Sequence, residues 1–398
     1  ALAAVGSTGS VNFMIIGFCM GVCNGFAIPV AQRFGAKDQT GLRKFVANSV
    51  WLSIVFAVIM TIVTCILCRQ IMTWMRTPAD IFEDANTYIF IIFIGIPATY
   101  LYNLVSGIIR SLGDSRSPLF FLIVSSVLNI GLDFLFILTF HMGVAGAAWA
   151  TVISQAVSGI GCLFYMKHKF EILKIRPEEW KMDTKYMKIL CGMGIPMGLQ
   201  YSITAIGSVI LQTAVNTLGS SAVAAITAGS KVSMFFCCPY DAMGSTMATY
   251  AGQNVGAGKL DRVKKGMLSC CLLGLIYAVL AFVFLFFFGR YTALLFMEAS
   301  EKAILGNVTT FLLINSAFFF PLSLVNIIRF TIQGMGYSIL AICAGICEMV
   351  ARSIVGFVFV PMWGFVAACF ASPVAWICAD IFLIPAFFYC LRRLKKVY

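Results

Sequence analysis

Long apolar runs separated by short polar or charged segments make up the whole chain. Runs long enough to cross a bilayer fall at 3–32, 46–68, 87–109, 118–140, 145–166, 189–217, 223–252, 267–289, 305–328, 339–360 and 365–391. About 20 apolar residues in a helix cross a hydrocarbon core about 30 Å thick. The pattern therefore predicts eleven transmembrane helices, the longer ones tilted or extending past the bilayer. Polar residues interrupt three neighbouring runs at helical spacing: Asn103, Ser106 and Arg110; Ser126, Asn129 and Asp133; Thr151, Gln155 and Ser158. Steps of three and four place each set on one helix face. A charged side chain at the bilayer centre costs about 2.5–3.5 kcal/mol on insertion scales. Asp133 is therefore expected to face a cavity, a partner or an ion, not lipid.

Composition supports the membrane reading. Of 398 residues, 61% are hydrophobic and 11% charged, far too little charge for a soluble surface. The net charge of +12 raises the question of nucleic acid, and the placement of the charges answers it. Basic residues gather in alternate loops: Arg33 to Lys44, Arg110 and Arg116, Lys167 to Lys188, Lys259 to Lys265, Arg329, and Arg392 to Lys396. The opposite loops hold Arg69, Arg76, Arg290 and Lys302. The basic set belongs to the cytoplasmic side, so the charge is a topology signal, the C-terminus is expected in the cytoplasm, and no nucleic-acid partner is expected. The fifteen cysteines lie within apolar runs, and with two histidines in the chain they are expected as small packing residues.

The chain repeats itself. Ala1–Val5 aligns with Ala222–Ile226, Gln32–Ala36 with Gln253–Ala257, and Gly143–Ala148 with Gly364–Cys369, all at an offset of 221; Asn103, Ser106 and Arg110 align with Asn326, Arg329 and Gln333 at 223. The second half has a span, 189–217, ahead of its repeat block, and the first half has none. The expectation is an all-α membrane protein of two parallel-repeat six-helix lobes, with 11 of 12 transmembrane helices present. An N-terminal lobe covers 1–166, a charged cytoplasmic linker with a short interfacial helix 167–188, and a C-terminal lobe 189–398.

These pieces resemble the multidrug and toxic compound extrusion (MATE) family, on its bacterial multidrug branch. The carrying motifs are Ala1-Leu-Ala-Ala-Val-Gly6, Gln32-x-x-Gly-Ala36, Arg110-Ser-Leu-Gly-Asp-Ser-Arg-Ser-Pro118, Gly143-Val-Ala-Gly-Ala-Ala-Trp-Ala-Thr151, Gly194-Ile-Pro196 and Gln253-Asn-Val-Gly-Ala257. The resemblance implies two lobes in a V around a central cleft. It also implies export of cationic or amphipathic compounds in exchange for Na⁺ or H⁺. In that family a first-lobe cation site draws on an Asp of the first helix with residues of the fifth and sixth; Asn129, Asp133 and Thr151 match the latter, with Asn103 nearby from the fourth. Amide, hydroxyl and carboxylate oxygens suit a small hard cation such as Na⁺, and a proton carried by Asp133 is the alternative. The plain reading is interhelical hydrogen bonding.

In the second half, Glu348 and Arg352 stand at i and i+4 and can neutralise each other. Gln200 lies where some family members carry an acid. Gln200, Asp241, Asn326, Glu348 and Arg352 are assigned to substrate contact or gating. Asp380 is a further acid within a span; an ion pair with Lys231 or another basic group is the plain alternative for both it and Asp241. Pro29, Pro97, Pro196, Pro239 and Pro321 permit helix bends. The alternative function is a lipid-linked precursor flippase, which would need several cleft cations where only Arg352 and Lys231 offer themselves. No HExxH, GxSxG or GxxxxGK[ST] occurs, so neither an enzyme nor an ATP-driven pump is expected. The reading is thus a monomer in the plasma membrane with no cofactor, whose partners are small amphipathic molecules, the coupling cation and the lipid bilayer.

Overall fold

The computed structural model describes residues 2–294 and 302–397; Ala1 of the first repeat block and the side chain of Lys302 lie outside the described part. Among the described residues the chain is helix joined by short turns. The helices are α1 Leu2–Ser7, α2 Gly9–Gly35, α3 Gln39–Trp74, α4 Phe82–Ile94, α5 Ile96–Ser111, α6 Arg116–Asp133, α7 Gly143–Lys169, α8 Thr184–Asn216, α9 Ser220–Gly256, α10 Leu260–Ala293, α11 Lys302–Ala317, α12 Phe319–Gly334, α13 Ser338–Ile354 and α14 Val360–Leu394. Backbone polar groups in hydrocarbon must be satisfied within the chain, and helices do this segment by segment.

Eight of the helical runs are long and apolar enough to cross a membrane, or ten if each bent pair is one span. The bent pairs are α4–α5, turning by 45° at Gly95, and α11–α12, turning by 49° at Phe318. The run from Ser338 to Leu394 is broken at Gly364, at φ 61° and ψ −137°. Cys347 and Cys378, on either side of that break, lie within electrostatic reach of each other, so the run folds back as a hairpin of two spans. That division accounts for the eleven apolar segments. The expected helix between 167 and 188 is instead two separate 3₁₀ turns, Glu171–Leu173 and Pro177–Trp180.

The repeat is visible in the backbone. Both halves run long helix, long helix, bent pair, then a helix ending in a π-helical turn: Phe134–Thr139 after α6 and Val355–Phe359 after α13. Positive φ recurs at Gly113 and Gly336, and at Gly143 and Gly364, the same offsets that align the sequence. Few residues other than glycine take this conformation without strain.

Two compact units emerge, residues 1–202 and 203–398. The division falls inside α8, not at the linker. The first part of α8 packs backbone to backbone on α2: a Cβ on Gly25 would lie 2.5 Å from the Gly194 Cα, and one on Gly21 2.5 Å from the Met197 carbonyl oxygen. Small residues that let helices approach this closely are a strong membrane adhesive. Each unit has its own apolar core, around Phe26, Phe93 and Tyr100 in the first and Tyr240, Phe319 and Phe387 in the second. Ile59, Ile62 and Ile66 of α3 and Leu272, Leu280 and Phe287 of α10 are exposed, as expected of surfaces that lipid covers.

Candidate functional site

The first-unit residues come from α5, α6 and α7. Asp133 is the last residue of α6, where the helix widens into its π turn; such widenings often mark functional positions. Asn129, one turn earlier, donates through Nδ2 to the Thr151 hydroxyl across to α7, at a long 3.5 Å. Thr151 in turn donates to its own helix at the Ala147 carbonyl, 3.0 Å away. The Asp133 Oδ1 is buried; among the described residues it accepts no hydrogen bond and no protein cation stands within electrostatic reach of the carboxylate. A buried oxygen without a donor is costly.

Two members of the predicted stripes fall elsewhere. Asn103 is buried in α5 and donates to the Thr99 carbonyl of its own helix at 2.8 Å; among the described residues it makes no side-chain bond to Asn129, Asp133 or Thr151. Ser126 is exposed and donates to Leu122 of its own turn, whereas Ser125 is buried. The periodicity allowed either serine, since both lie within one turn of Asn129. Tyr88 of α4 lies within electrostatic reach of Asp133. It carries no stripe signature, and only packing of α4 against α7 reveals it. Gln155 accepts from Thr99 at 2.9 Å and ties α5 to α7.

The second unit holds a buried charge cluster. Glu348 of α13 is bound by Arg329 of α12 through one oxygen and lies 3.4 Å from Arg352 of its own helix through the other. All three are under 8% exposed. The sequence placed Arg329 among loop charges; it lies inside α12, as Arg110 lies in the last turn of α5, where it donates to Asn24 of α2 at 3.2 Å. Arg329 also acts electrostatically on Asp241 of α9 and on Asp380 of α14. Asp380 is buried with one oxygen unbonded, and Asp241 is exposed. Neither acid forms an ion pair with Lys231 among the described residues. Asn326 is buried one turn from Arg329, and Gln200 is buried in α8. The sequence signal that could have found Arg329 is its repeat partner Ser106, a membrane-embedded position.

Outside the apolar segments, Asp114 organises the α5–α6 loop. It accepts from the backbone and hydroxyl of Ser117, at 3.0 and 2.7 Å, from Tyr165 at 3.0 Å and from Lys169 at 3.0 Å. Partial burial alone would raise its pKa, but these donors outweigh it and hold the carboxyl well below the usual range. Cys65 and Cys68 stand in CxxC spacing inside α3; both are free, and Cys68 donates to the Asn86 side chain at 3.4 Å.

Comparison with known proteins bears on the whole chain. The MatE family model matches residues 1–135 and 196–368. A probable multidrug resistance protein of Bacillus subtilis, YpnP, is 30% identical over 82% of this chain and 73% of its own length. A second from the same organism, YoeA, is 28% identical over 76% of this chain, which covers 66% of that relative's length, just under two-thirds. A solved structure described as the outward-facing conformation of a multidrug resistance MATE family transporter superimposes with a TM-score of 0.94, at 23% identity, over 99% of this chain and 88% of that one.

Proposed function

The chain belongs to the MATE family, and from that premise we propose that it is a secondary antiporter exporting cationic or amphipathic compounds across the plasma membrane in exchange for Na⁺ or H⁺. The observation that carries the coupling is Asp133, whose buried oxygen has no donor among the described residues; Asn129, one turn away, and its partner Thr151 bring neutral oxygens from two helices. These three residues would hold the coupling ion, which supplies the positive charge that Asp133 otherwise lacks. Binding there favours the lobe arrangement in which that carboxylate is neutralised, and the population of arrangements shifts by the difference in affinity. Gln200, Asp241, Asn326, Glu348 and Arg352 are assigned to substrate contact or gating. The loops rich in Lys and Arg support a cytoplasmic C-terminus.

A flippase gains Arg329 and Arg110 as further embedded cations. Against it, Arg329 and Arg352 share Glu348, so neither is a free phosphate ligand. The experiment is ethidium efflux from vesicles under separate Na⁺ and pH gradients, with wild type beside Asp133→Asn. Gradient-driven efflux that disappears in the variant supports the proposal. Undiminished efflux in Asp133→Asn removes the coupling role of that residue.

A further inference from the structure

The linker covers an apolar groove of about 530 Å³ between α3 and α7. Its walls include Val50 of α3, Leu163 of α7, and Phe170 and Leu173 beyond it; Lys167, Lys174 and Trp180 also line it. The groove is built by specific bonds. Arg43 binds Glu179 at 2.8 Å, with both side chains largely buried; the Trp51 indole donates to the Trp180 carbonyl at 2.9 Å; and the Asp183 amide donates to Asn48 at 2.9 Å. A bidentate Arg–carboxylate pair in this setting fixes geometry as well as charge.

We propose that this groove is a binding site for an anionic phospholipid of the adjoining leaflet. One end continues along α3 into Ile54 and Val58, which are exposed apolar residues one and two turns beyond Val50. An acyl chain can therefore run from the groove onto a lipid-facing surface. At the polar end, Lys167 makes no ion pair among the described residues, and Lys174 holds only an exposed pair with Glu171, which is weak. Trp180 is 40% exposed, and indoles favour the headgroup level of a bilayer. An amphiphile with one phosphate complements an apolar trough ending in two lysines, and basic sites beside membrane helices select such headgroups. The inference rests on the membrane placement of the proposed function and not on transport, so it stands or falls separately.

The test is native mass spectrometry of the purified full chain with phosphatidylglycerol or phosphatidylcholine of identical acyl chains. Wild type should retain phosphatidylglycerol about five-fold or more over phosphatidylcholine. Lys167→Gln with Lys174→Gln should abolish that preference, and Lys395→Gln with Lys396→Gln should leave it intact. Val50→Trp, which fills the trough, should reduce retention of both lipids. Equal retention of the two lipids by wild type overturns the proposal, as does displacement of the phosphatidylglycerol by inorganic phosphate or an equal loss in the Lys395/Lys396 control. Should the groove variants fail to fold, phosphatidylglycerol brominated on its chain must quench wild-type tryptophan fluorescence more than brominated phosphatidylcholine; equal quenching overturns the proposal.

Discussion

Ser106, Ser125 and Asn129 of the first unit and Arg329, Glu348 and Arg352 of the second occupy equivalent places in the repeat, at the offset of 223. In one unit the three positions are neutral hydroxyls and an amide; in the other they are a buried ion cluster. The helices, the bent pairs and the π turns are the same. The chemistry differs because of which charges find partners inside the protein. Glu348 has two guanidinium groups, and Asp380 has Arg329 within reach. Asp133 has no cation within reach among the described residues, and Gly356 stands at its repeat position. A repeated scaffold can thus carry a self-neutralised network in one copy and an acid lacking a counter-charge in the other. The second of these is where the proposed coupling cation would bind.

Breaking the charged copy should have the largest effect. Glu348→Gln leaves two guanidinium groups buried without their carboxylate, and loss of one partner from a buried network costs about 3–5 kcal/mol. Thermal unfolding in detergent should show it, and should show little change for Ser125→Ala, its neutral counterpart. Asp133→Asn should do the reverse. It removes a buried carboxylate that lacks a donor, so stability holds or rises, while gradient-driven ethidium efflux falls by about a hundredfold, or ~2.7 kcal/mol. A variant that loses stability and keeps efflux would invert the assignment of the two copies.

The next effect tests the scaffold that the copies share. Gly143→Ala and Gly364→Ala each place a Cβ in open space at a positive φ, so strain alone acts. Each should cost about 1–3 kcal/mol, and a large inequality would show that the two turns are not equivalent. The smallest effect belongs to the Asp114 loop, whose repeat partner Tyr337 is no acid. Its depressed pKa contributes stability that is fully present above the unfolded value of about 3.9 and is lost only as pH falls through the folded value. The stability difference between wild type and Asp114→Asn should therefore stay flat from pH 8 to 5. Any pH dependence of efflux in that window then arises elsewhere.

Much of this was legible in one dimension. Hydrophobic runs located the spans because hydrocarbon tolerates few polar groups, and the offsets of the sequence repeat recur in the backbone at Gly113 and Gly336 and at Gly143 and Gly364. Asp133 announced itself by its cost. The stripe that brings Asn129 to Thr151 was visible as spacing, but the choice of Ser125 over Ser126 was not, since a few degrees of helix rotation separate them.

The chain alone determined that this is a helical membrane protein with an internal repeat and a costly acid, Asp133, in its fourth apolar run, because those properties follow from local composition and period. Only the tertiary structure decided that Arg329 belongs to Glu348, that Tyr88 approaches Asp133, and that the first part of α8 joins the first unit through Gly194 and Gly198. Those pairings depend on how closely two helix backbones approach, and that distance is set by side chains far apart in sequence.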